Sequence, residues 1–146
     1  MADSLHPKPF KDYIPDSVSA QKGLLGIYQV EGKYYFAIPD SLLSRDLLFV
    51  TRISGGSLLT GRDDAFPGDA ITDLVIRFEK GTGNKLFMKK GLFTSYGGDS
   101  SAAMFKAVSR SNLSPIIASF TILAVSADKK SYLFDPSDFI QGDNEI

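Results

Sequence analysis

The side chains able to do polar chemistry are few and scattered. The chain has one imidazole, His6, and no thiol. His6 lies between Leu5 and Pro7, in a segment broken by Pro7, Pro9 and Pro15. A Ser–His–Asp site needs its base held rigidly against the nucleophile, and a proline-broken segment is a poor holder. A zinc centre needs three or four nitrogen or sulfur ligands, and one histidine without cysteine falls short. The His-Glu-x-x-His helix motif is absent. No catalytic residue is therefore assigned, and no cofactor is expected in this chain.

Oxygen ligands are more plentiful. Asp63, Asp64 and Asp69 share the stretch from Gly55 to Ala70 with Arg62. Calcium is the ion that such carboxylates would take. The spacing is not that of an EF-hand, and the ordinary reading is a solvated loop. The overlapping glycine-rich segment Ile53–Gly61 follows a strand, where a phosphate loop would sit. It lacks the Gly-Lys-Ser/Thr ending, which makes it a β–β connection. Tyr34, Tyr35 and Phe36 are consecutive, so at least one ring points away from the others. An outward ring would suit a sugar or peptide platform, or lie under a loop or in an interface.

The composition narrows the class. The 146 residues suffice for one domain with a real core. Lys and Arg total 16 and Asp and Glu 17, a balance that exerts no long-range pull on nucleic acid or anionic membrane. No apolar run reaches the roughly 20 residues of a membrane span. The first ten residues contain no apolar core of a signal peptide.

The elements that would position these groups read as strands. Residues 1–22 form a proline-rich, flexible arm, expected to pack weakly, so that its removal leaves the melting temperature nearly unchanged. Residues 23–146 form a single β domain. Gly23–Val30 and Lys33–Ile38 flank Glu31-Gly32, a hairpin signal. Leu47–Ile53 follows, and its solid apolar start predicts burial on both faces. Asp73–Glu79 alternates, with Leu74, Ile76 and Phe78 on one face. Lys85–Lys89, Pro115–Val125 and Ser131–Phe134 complete about seven strands, with Leu92–Tyr96 a continuation past Gly91. Ser100–Arg110 suits a helix and a strand equally. Single turns of helix are expected at Pro39–Leu43 and at Asp135–Asp138, where Asp135 caps and Pro136 takes the first helical position. The fold class is mainly β: an antiparallel β-sandwich or partly open barrel with one or two short helices. The expected core is Leu25, Ile27, Phe36, Ile38, Phe49, Leu74, Ile76, Phe78, Leu86, Met88, Ile117, Phe120, Ile122 and Leu133.

Several blocks carry a family resemblance: Lys22–Tyr28 with Lys33–Ile53, Val75–Glu79, and Ser111–Phe120 with Phe134–Phe139. Together they resemble the N-terminal β region of large, secreted zinc-dependent metalloproteases common in Bacteroidetes. The resemblance spans about residues 21 to 142, and Tyr34–Ile53 is its most specific part. It implies a separate catalytic domain that follows this region and holds the zinc, so no site residue carries over. It implies a periplasmic or extracellular location. Two functions follow as expectations. The first is a non-catalytic accessory domain that packs on or positions the catalytic domain, the chain being an N-terminal piece. The second is a stand-alone binding module for a glycan, peptide or envelope component. The expected partners are a covalently linked catalytic domain, or a second copy through an exposed patch.

Overall fold

A computed structural model describes residues 7–54, 67–91 and 114–141. Nine strands fall within them: β1 (Lys8–Pro9), β2 (Gln21–Lys22), β3 (Gly26–Val30), β4 (Lys33–Pro39), β5 (Asp46–Arg52), β6 (Ala70–Lys80), β7 (Lys85–Lys90), β8 (Ile116–Val125) and β9 (Ser131–Phe134). One helix, α1 (Ser137–Gln141), closes the described chain, and single 3-10 turns cover Phe10–Asp12 and Asp40–Leu42. The sheet order is β2-β3-β4-β9-β8-β7-β6-β5, all antiparallel, with β1 added in parallel to β8. The sheet curls strongly into an open half-barrel, the partly open barrel of the two expected architectures.

Local sequence sets the turns. Glu31 (φ 49°) and Gly32 (φ 82°) both take left-handed backbone, and Val30 pairs with Lys33 across them. That is the two-residue turn whose twist matches a right-handed hairpin. Asp135 Oδ1 accepts the Ser137 N–H at 2.8 Å, and Pro136 stands at the start of α1. The helix is thus capped as its residues predict.

Curling comes from bulges. β8 pairs with β7 through Phe120 and Thr121, then shifts register between Ile122 and Ala124 as it pairs with β9. Two further irregularities lie at Met88/Lys89 and Thr51/Arg52. Each extra residue bends its strand and raises the local twist. The concave side carries the main core: Ile38, Leu74, Ile76, Phe78, Leu86, Met88, Phe120, Ile122, Tyr132 and Phe134. Phe134 is at its centre, 1% exposed, with the Phe120 ring at 4.8 Å and Phe78 and Phe36 at about 6 Å. Leu25, Phe36, Phe49 and Ile117 pack on this core half-buried. Ile27 is half-buried.

The structure corrects two expectations. β5 is not buried on both faces: among the described residues it is an outermost strand of the sheet, and Leu48 is 71% exposed. Its apolar run reflects an inner face (Leu47, Phe49) interleaved with an outer one (Leu48, Val50). The N-terminal segment, from Pro7, is not loosely packed. Phe10, Tyr13, Ile14 and Val18 lie over Ala37, Ala124 and Leu133 on the convex face, and Ile14 is 6% exposed. Leu133 therefore belongs to this second layer, not to the concave core. Two alanines at 37 and 124 leave room for the larger side chains of the strap. β1 pairs with β8 at Ala124 and Val125, beyond the last β7 partner, Thr121.

Candidate functional site

Three apolar doublets, Leu24-Leu25, Leu47-Leu48 and Phe139-Ile140, meet where the half-barrel stays open. In each doublet one residue (Leu25, Leu47, Phe139) packs on the main core. The other stays at the surface: Leu24 is 62% exposed, Leu48 71% and Ile140 57%. They rim a cleft of about 260 Å³ that reaches down to Met88, Phe120 and Phe134. α1 partly fills the opening, with Phe139 about 6.1 Å from both Phe49 and Phe120. Among the described residues no polar or charged side chain is buried. The cleft can take an apolar group and offers no placed proton donor or acceptor at its base.

Polar networks occupy other places. The β8–β9 turn is built by Ser126 and Asp128. The Ser126 hydroxyl donates to Asp128 Oδ1, and the Lys130 N–H reaches both side chains. The hydroxyl, then the Lys130 backbone, hold the Asp128 carboxyl below its ordinary value. Tyr132 donates its hydroxyl to Asp40 at 3.1 Å, while Lys80 Nζ lies 4.4 Å from the centre of the tyrosine ring. This links β9 to the Asp40–Leu42 turn and to β6. On the convex face Arg77 pairs with Asp46, Arg52 with Asp73, and Lys89 with Glu79.

The residues singled out from sequence are not brought together here. His6, Asp63 and Asp64 lie outside the described residues, as do Ser100–Arg110, Leu92–Tyr96 and most of the glycine-rich stretch. Asp69 is exposed, and its backbone carbonyl accepts the Ile53 N–H. No group of three His, Asp or Glu side chains converges among the described residues, so they do not fit a zinc ion. Of the three rings at 34–36, Tyr34 is the outward one at 45% exposure, Tyr35 packs with Tyr13 of the strap, and Phe36 turns to the core. No helix among the described residues is long and apolar enough to cross a membrane. Sequence reasoning passed over Leu24, Leu48 and Ile140. For Leu48 the available signal was the doublet itself, since two adjacent apolar residues in a strand cannot both face one core.

Residues 7–56 match a family model described as Domain of unknown function (DUF5118), and residues 68–146 match another, Domain of unknown function (DUF5117). No curated protein and no solved structure matches the chain. The two matched stretches share one sheet. β4 pairs with β9 and β5 with β6, so strands from the first stretch flank both ends of the second.

Proposed function

This chain belongs to the DUF5117 family, and we propose that it acts as a non-catalytic accessory domain. Its partner is the catalytic domain of a secreted zinc-dependent metalloprotease, outside these residues. The open seam of the half-barrel is the docking face. The observation that carries this reading is the set of split doublets, which leaves Leu24, Leu48 and Ile140 around a cleft with no polar chemistry at its base. Fully covering such a side chain contributes about 1.5–3 kcal/mol. An apolar surface that does no chemistry is suited to contact rather than turnover. The resemblance of residues 21–142 to the region that precedes a zinc protease domain supports the choice of partner. The zinc and its ligands then belong to that domain, and the location is periplasmic or extracellular.

A second reading is a binding module for a small apolar ligand or peptide. It is favoured by the same cleft, and by a convex groove of about 440 Å³ lined by Phe10, Tyr28, Ser126 and Ser131. The reading frame beyond Ile146 separates the two. A continuation with a His-Glu-x-x-His helix supports the accessory role, and a stop codon there leaves the binding module. Within such a gene product, Leu24→Asp with Ile140→Asp should loosen the two domains, seen as faster protease cleavage between them.

A further inference from the structure

We infer that the edge of β5 left unpaired among the described residues pairs antiparallel with β5 of a second copy of this chain, about a two-fold axis at Phe49. The inference shares Leu48 with the seam but does not depend on the accessory role, and it rests on the backbone and side chains of one strand. Among the described residues β5 pairs with β6 alone. Ile53 gives both its N–H and its carbonyl to the β6 side, through Asp69 and Gly68. Val75 turns its carbonyl toward Gly91, so its neighbours Leu74 and Ile76, opposite Phe49 and Leu47, face β5. Alternation then leaves the N–H and carbonyl groups of Asp46, Leu48, Val50 and Arg52 along the outer edge. These four also share the convex face.

The strand is complementary to itself in one register. Centred on Phe49, an antiparallel pair places Asp46 opposite Arg52 of the other copy and Leu48 opposite Val50. Every residue with edge-facing backbone groups meets another such residue, so each of these pairs can exchange two hydrogen bonds. A slip of one residue on each strand sets Asp46 against Val50, or Leu48 against Arg52, and loses the charge match. The convex ion pairs extend the pattern. Arg77 already holds Asp46 at 2.7 Å, and Asp73 holds Arg52 at 3.4 Å. Pairing would join these into a row running Arg77, Asp46, Arg52 of the second copy, Asp73 of the second copy. The two-fold repeats the row at the other end. Leu48, 71% exposed, and Val50, 44% exposed, would cover each other between the rows. Natural edge strands are usually short, charged at the centre or broken by proline. β5 has seven residues, its charges only at its ends, and no proline.

The test is sedimentation velocity of the 146-residue chain across a concentration series at low and high salt. A dimer that weakens with salt is expected. Asp46→Arg alone, or Arg52→Glu alone, sets like charges opposite each other twice and should weaken it roughly tenfold or more. An equimolar mixture of the two variants restores both opposite-charge contacts and should dimerise as well as the unmodified chain. Val50→Pro removes an edge donor without touching the β5–β6 ladder and should give monomer with an unchanged far-ultraviolet spectrum. A chain that is monomeric throughout, or a dimer indifferent to Val50→Pro, overturns the inference. So does a mixture no tighter than its separate components.

Discussion

Replacing Ile14 by alanine tests whether the N-terminal segment is a structural strap. Ile14 is 6% exposed and sits in a layer with Ala37, Ala124 and Leu133, the last two completely buried. Truncation removes three carbons from a packed site and leaves a cavity that the small alanines opposite cannot fill. Such losses cost about 2–5 kcal/mol in well-packed cores. The strap lies on the outside and can settle inward, which points to the lower end, about 2–3 kcal/mol. For a domain of this size that is a fall of about 6–10 °C in melting temperature. Calorimetry on the full chain, with Val18→Ala as the half-buried comparison, should show a large fall for Ile14 and a smaller one for Val18. A fall below about 2 °C for Ile14→Ala would refute the reasoning. It would mean that the strap adds nothing beyond the entropy it costs to order, as its three prolines and many polar residues suggest.

Other expectations are as direct. Phe134→Ala, at the meeting point of the Phe36, Phe78 and Phe120 rings, should cost about 3–5 kcal/mol, measured by urea unfolding. Asp128 titrates below its ordinary value when folded, so its contribution to stability is complete above pH 3.8 and fades as pH falls through the folded value. Asp128→Asn should therefore lower stability at neutral pH and flatten the loss on the acid side, followed by thermal melts from pH 2 to 7. Residues 7–56 and 68–146, expressed separately, should each fail to fold, because each leaves strand edges that the other fills. Cooperative melting of either piece alone would contradict this. Zinc titrated calorimetrically into the metal-free chain should show no tight site, since His6 is its sole imidazole and carboxylates alone hold zinc weakly. A nanomolar site lost on His6→Ala would reverse that.

The strands and turns were legible because their signals are local. Leu74, Ile76 and Phe78 alternate with charged neighbours, Glu31-Gly32 turns the hairpin, and Asp135-Pro136 starts the helix. Each of these needs only a few residues to declare itself. The strands that lead into the turns at Pro39–Leu42 and Pro136–Phe139 are neighbours in the sheet, with Ile38 opposite Tyr132. What was not legible depended on distant partners. Ile14 reads as one apolar residue among prolines until Ala37 and Ala124, remote in sequence, make a floor for it. Leu47-Leu48-Phe49-Val50 reads as a buried run, because composition alone cannot say that a strand lies at the edge of its sheet. The candidate site suffered most. An apolar docking face leaves no motif, and its residues resemble core residues until their exposure is known.

Hydrogen–deuterium exchange tests the docking claim most directly, comparing this chain alone with the same chain joined to the protease domain proposed above. Peptides covering Leu24-Leu25 and α1 at Phe139-Ile140 should exchange markedly more slowly in the joined protein, while those from β7 at the sheet's centre stay unchanged. Equal exchange at the seam in both would contradict the account, because the split doublets would then face solvent with no domain upon them.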